Sequence, residues 1–173
     1  MIPSVSVLQG LLQKYSPTGD EYSAVNFLVN TMRNLGMESH FDAAGNAIGT
    51  RGSGPHEILL LGHIDTVSGE IPVRLEEGIL YGRGSVDAKG PLAAFVCGAS
   101  AAKIHPDWRI TVIGAVGEEG DSKGAHYLCE HFEKPDLVII GEPSGWEGVT
   151  LGYKGSCWVD FTFEQAISHT ASG

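Results

Sequence analysis

The chain is short of positive charge: 11 Lys and Arg face 21 Asp and Glu, a formal net charge of -10. Nucleic-acid binding needs clustered Lys and Arg, so that class is excluded, and part of the acidic excess is free to serve as metal-binding carboxylate. Cysteine is scarce as well. Cys97, Cys129 and Cys157 are widely spaced, odd in number and form no C-x-x-C, which favours free thiols in a reducing compartment. No stretch approaches the roughly 20 apolar residues of a membrane span. Met1 to Tyr15 lacks the basic start and long apolar core of a signal peptide, so a cytoplasmic protein is expected. What is present, 42% hydrophobic residues and a mean hydropathy of +0.01 over 173 residues, suits a soluble globular chain with one good core and the beginning of a second domain.

Apolar residues at helical spacing predict a short first helix through Leu8, Leu11 and Leu12, stopped by Ser16-Pro17. Thr18-Gly-Asp-Glu21 matches a capping box for a second helix that runs to Gly36. Short strands are expected on either side of the Asp42 to Gly45 turn, and a small hairpin around Glu76-Glu77-Gly78. An Ala-rich, nearly all-apolar helix from Pro91 to about Lys103 should be buried on a sheet. Apolar runs at Ile58 to Leu61, Ile110 to Val116 and Leu137 to Ile140, each expected to be a buried strand and separated by helices, predict an α/β fold: a largely parallel sheet with helices on both faces. Ser156 to Phe163 alternates as a further strand, after a boundary at Thr150 to Gly155.

Each of those three apolar runs ends in Gly followed at once by a metal-competent residue: Gly62-His63, Gly117-Glu118-Glu119 and Gly141-Glu142. In an open parallel sheet the C-terminal strand ends share one edge, where ligands bind, so these side chains should converge. Asp87, in the loop that opens the buried helix, can join them. If the chain stays extended past Gly62, the Asp65 carboxylate lies on the same side as His63 and can hold one imidazole nitrogen while the other binds metal. One His with several carboxylates suits zinc or a related divalent ion, and two cations about 4 Å apart would neutralise the cluster. Glu118 and Glu119 cannot both face one metal from an extended backbone. One is expected to bind metal and the other to accept the proton of a bridging water.

His63-x-Asp65-x-Val67, Gly82-Arg83-Gly84-x-x-Asp87-x-Lys89-Gly90, Glu118-Glu119 and Glu142-Pro143, in that order, resemble the motif set of the dinuclear-zinc M20 peptidases and deacylases. The resemblance implies that His63, Asp87 and Glu142 hold one metal, that Asp87 and Glu119 hold the second, that Asp65 orients His63 and that Glu118 is the general base. It implies two Zn2+ per complete subunit, with Co2+ as a substitute, and a cis peptide after Asp87. His169, in Ser-His-Thr-Ala-Ser-Gly, resembles the lid histidine that polarises the scissile carbonyl in this family, across the interface of a homodimer.

Pro72-Val-Arg-Leu-Glu76, Leu80-Tyr-Gly-Arg-Gly84 and Ile140 to Gly148 with Leu151-Gly-Tyr-Lys-Gly155 narrow the resemblance to one branch. In that branch the enzyme cleaves the amide between lysine or ornithine and the C-terminal glutamate of a small carrier protein, in lysine and arginine biosynthesis. The runner-up is a general N-acyl-amino-acid deacylase or aminopeptidase-like M20 hydrolase, and the alternative from another class is a non-catalytic metal-binding module. Residues 1–152 are expected to be the N-terminal part of a catalytic domain, and 153–173 the start of an α+β lid or dimerisation domain. The final His ligand of the second metal has no match, so the 173 residues should have little activity by themselves. Arg83 and Lys89 are expected to pair with the acidic site, and Trp146 is a candidate wall for it.

Overall fold

The computed structural model describes residues 3–145, 147–152, 155, 157 and 159–165. Its elements are α1 (Pro3–Leu12), α2 (Tyr22–Asn34), β1 (Glu38–Phe41), β2 (Ala47–Gly52), β3 (His56–His63), β4 (Arg74–Glu76), β5 (Ile79–Tyr81), α3 (Lys89–Ala101), β6 (Trp108–Ala115), α4 (Lys123–His131) and β7 (Leu137–Ile140). Compactness divides the chain into Met1–Pro143 and Ser144–Gly173. No helix among the described residues is long and apolar enough to cross a membrane.

The first unit is an α/β layer structure on a five-stranded sheet of order β1-β2-β6-β3-β7. β6, β3 and β7 run parallel, whereas β1 and β2 form an antiparallel hairpin added beside β6. The sheet is therefore mixed. The Asp42 side chain explains the hairpin: it accepts from the main-chain N–H groups of Ala44 and Asn46 and closes a tight turn that returns the chain antiparallel. β4 and β5 form a separate two-stranded hairpin, as expected around Glu77 and Gly78.

Side chains alternate across β3 and β6, so the sheet has two apolar faces. Leu60 and Val112 join Leu11, Leu28, Met32, Leu92 and Val96 under α1, α2 and α3, while Leu59 and Ile113 meet Leu128 of α4 on the opposite face. Helices thus cover both faces. Gly114 makes the larger layer possible, because a Cβ there would lie 2.6 Å from Cδ2 of Leu28 and 3.2 Å from Cδ2 of Leu92.

Three local expectations are corrected. Thr18 does not cap α2: Glu21 occupies the N-cap position, and the Thr18 hydroxyl points instead to Asp65. β7 is not buried; among the described residues it is an edge strand paired with β3 alone, and its four aliphatic residues are each more than half exposed. The alternation of Ser156 to Phe163 produces no strand at Cys157 or at the described positions 159–163. An alternating segment needs a partner ladder to become a strand, and Val159, Phe161 and Phe163 remain largely exposed.

Candidate metal centre

His63 is the last residue of β3 and is only 2% exposed. Its Nδ1 hydrogen-bonds the main-chain carbonyl of Asp65 at 2.9 Å, leaving Nε2 directed at a fan of carboxylates. Asp87 Oδ1 lies 3.1 Å from Nε2, Glu118 Oε2 3.8 Å and Glu142 Oε1 3.9 Å. These groups come from four places in the chain. β3 delivers His63, the loop before α3 delivers Asp87, the turn after β6 delivers Glu118 and Glu119, and the end of β7 delivers Glu142. Parallel pairing of β3 with both β6 and β7 aligns their C-terminal ends, and the register Gly62 to Gly114 and Leu61 to Ile140 fixes the alignment.

Two groupings have ligand atoms within 4.8 Å of one another: His63 with Asp87 and Glu142, and His63 with Glu118 and Glu119. The second corrects the idea that Glu118 and Glu119 cannot face one point. The chain is not extended there but turns after Gly117, whose φ is +78°, so adjacent side chains diverge less. The peptide bond between Asp87 and Ala88 is cis, as the family resemblance implies.

Asp65 is fully buried, and its carboxylate does something the sequence did not suggest. Rather than bonding the imidazole, its Oδ1 stands 3.6 Å from Nδ1 and accepts from the Glu118 N–H at 3.0 Å. Oδ2 accepts from the Glu119 N–H at 3.1 Å and from the Thr18 hydroxyl at 2.8 Å. The chain bends after His63, where β3 ends, so the carbonyl rather than the carboxylate of Asp65 reaches the ring. Thr18 was missed because its only signal, a short polar run after Ser16-Pro17, reads equally well as a helix cap.

The charges are strongly coupled. Burial opposes the charged form of His63, but the carboxylates of Asp65, Asp87, Glu142 and Glu118 override it and raise its pKa to about 9. Burial likewise works against the Asp65 carboxylate, yet His63, the Thr18 hydroxyl and the Glu119 and Glu118 amides hold its pKa down at about 2. Glu119 and Glu142 are pushed up, first by burial and then by their acidic neighbours, against the pull of His63. A cluster of acids around one imidazole is a site short of positive charge. Divalent cations fit that deficit and the donor set, one imidazole with several carboxylate oxygens, suits zinc and related ions.

Among the described residues Lys89 and Arg83 form no ion pair with the acids. The fully buried Lys89 ammonium donates to the carbonyls of Leu11 at 3.2 Å and Lys14 at 2.9 Å at the end of α1, and burial lowers its pKa to about 8. Arg83 Nε donates to the Gly69 carbonyl at 2.6 Å. A cavity of about 370 Å³ opens beside the cluster, lined by Thr66, Val67, Ile71, Arg83, Asp87 and Glu119 among others. Another of about 340 Å³, between the sheet and α4 and lined by Glu57 and Arg109, contains none of the cluster residues. Trp146, Tyr153, Lys154 and His169 lie outside the described residues.

Comparison with known proteins agrees with this geometry. A LysW-lysine hydrolase of Deinococcus radiodurans is 49% identical over 162 residues, which is 90% of this chain and 44% of that protein. A Thermococcus kodakarensis protein named provisionally as a LysW-lysine/LysW-ornithine hydrolase is 52% identical over 170 residues, 98% of this chain and 47% of that protein. The chain therefore spans about half the length of the curated relatives it matches. The crystal structure of human carnosine dipeptidase 1 shares the fold, with a TM-score of 0.69 at 20% identity over 83% of this chain and 38% of that one. The model of peptidase family M20/M25/M40 matches residues 59–170, from within β3 onward through every cluster residue, and the chain belongs to that family.

Proposed function

We propose that the protein is a metal-dependent amide hydrolase that releases lysine or ornithine from the C-terminal glutamate of an amino-acid carrier protein. The observation that carries the reading is His63 Nε2 facing Asp87, Glu118 and Glu142 within 3.9 Å, in a chain whose relatives are named for that reaction. His63, Asp87 and Glu142 would hold one Zn2+, and Asp87 with Glu119 would begin the site for a second; Co2+ is the natural substitute. When bound, such ions polarise a carbonyl and acidify water.

The rest of the chemistry belongs to the chain. Glu118, 47% exposed beside Nε2 of His63, accepts a proton from the attacking water and returns it to the leaving amine. Asp65 fixes the ring through its carbonyl and the Glu118–Glu119 backbone through its carboxylate. The cavity lined by Asp87 and Glu119 would take the acyl group and the released amino acid. His169 enters as the carbonyl-polarising group of the lid on its sequence surroundings alone, as do the 152/153 domain boundary, the homodimer and the cytoplasmic location.

Metal stoichiometry of the full-length protein, paired with hydrolysis assays on carrier-linked lysine and on N-acetyl amino acids, tests the reading. Two metals with carrier-dependent lysine release are expected. Cleavage of small acyl substrates only would move the protein to the general deacylase branch, and a full-length protein that binds no divalent metal would sink the hydrolase assignment.

A further inference from the structure

We propose that Thr18 is a positioning residue for the Glu118–Glu119 pair, acting on it through the Asp65 carboxylate. The segment that carries Thr18 is stitched to the segment that follows His63. Pro17 pairs in parallel with Thr66, the Thr66 N–H donates to the Ser16 carbonyl at 2.9 Å, and the Ser16 hydroxyl donates to the Ile64 carbonyl at 2.8 Å. These bonds put the Thr18 hydroxyl 2.8 Å from Asp65 Oδ2, on the oxygen that also accepts the Glu119 amide.

The carboxylate is therefore gripped from two sides: the two amides of the catalytic turn on one, the hydroxyl from the N-terminal segment on the other. Asp65 is fully buried while Thr18 is exposed, so the hydroxyl is the donor supplied from the outer side, and a methyl put in its place leaves that oxygen one donor short. The Thr18 methyl closes the other end of the turn, since a Cβ on Gly120 would lie only 2.8 Å from it. Removing the hydroxyl frees the carboxylate to rotate about its Cβ–Cγ bond, and the amides of Glu118 and Glu119 lose a fixed acceptor. The catalytic consequence rests on the proposed roles of Glu118 and Glu119; the placement of Thr18 does not.

The test compares Thr18→Val, close in shape but without the hydroxyl, with Thr18→Ser in the full-length protein. Amide hydrogen exchange of the metal-free protein should be about tenfold faster at Glu118 and Glu119 in the Val variant, unchanged in α3 and β6, and restored by Ser. Zinc titration should show the more weakly held ion losing about tenfold in affinity while the tighter one stays within about twofold. Unchanged exchange at the two amides, or a uniform acceleration across the sheet, overturns the inference. A wild-type protein that binds no metal while the exchange result holds would defeat the hydrolase reading and leave the positioning role standing.

Discussion

The main-chain carbonyl of Asp65 and Nδ1 of His63 are 2.9 Å apart, so the residue two places on in sequence selects the ring nitrogen that faces the cluster. With Nδ1 committed as a donor to a carbonyl, Nε2 is the nitrogen that presents its lone pair to a metal. The carbonyl can do this without titrating. The Asp65 carboxylate is left free to hold the turn that carries Glu118 and Glu119.

Glu118→Gln removes the proton acceptor while keeping shape and hydrogen-bonding capacity. Turnover by the full-length protein should fall by roughly 10²–10⁴-fold, with metal content near that of the wild type. Elemental analysis alongside single-turnover kinetics checks this. Parallel loss of metal would show that Glu118 is a ligand and not the base.

The raised His63 pKa makes metal-free stability depend on pH. Its folded value of about 9 lies above the ordinary 6.5, so the stabilisation is fully present below pH 6.5 and is lost as the pH rises through 9. The His63 share of that loss is on the order of 3 kcal/mol over the whole window. Lys89, whose pKa burial lowers to about 8, acts with the opposite sign: its ammonium costs stability below pH 8, and that cost is relieved as the pH rises from 8 towards 10.5. Urea unfolding of chelator-treated protein at pH 6, 7 and 8 therefore isolates His63, and His63→Gln should flatten the dependence there. A midpoint that rises from pH 6 to 8 in the unsubstituted protein contradicts the coupling.

Gly114 and Gly62 sit opposite each other in the register of β6 and β3, yet should respond differently to alanine. At Gly114 the added Cβ meets Leu28 at 2.6 Å, so overpacking should cost about 1–3 kcal/mol. At Gly62 the nearest atom is Cβ of Leu92 at 3.6 Å, an ordinary contact, and the change should stay within about 1 kcal/mol. Thermal unfolding of the two variants separates them. Equal effects would mean that α2 does not close on the sheet at Gly114.

Much of this protein is written locally. The apolar runs ending in Gly62, Gly117 and Gly141, the helical spacing between them and the motif order from His63 to Pro143 determined the α/β class, the family and the residues to watch, because strand ends and metal donors are short-range signals. Pairing was not local. Nothing in Ala47–Gly52 states that it lies antiparallel to β6, nor anything in Leu137–Ile140 that it stands at an edge with its side chains exposed. The division of Asp65 between a carbonyl for His63 and a carboxylate for two amides depends on a bend after β3, and the use of Thr18 depends on a bridge between positions 17 and 66. The carboxylate bonds to Thr18, Glu118 and Glu119 join groups 47 to 54 residues apart, and only the folded chain brings donor and acceptor within reach.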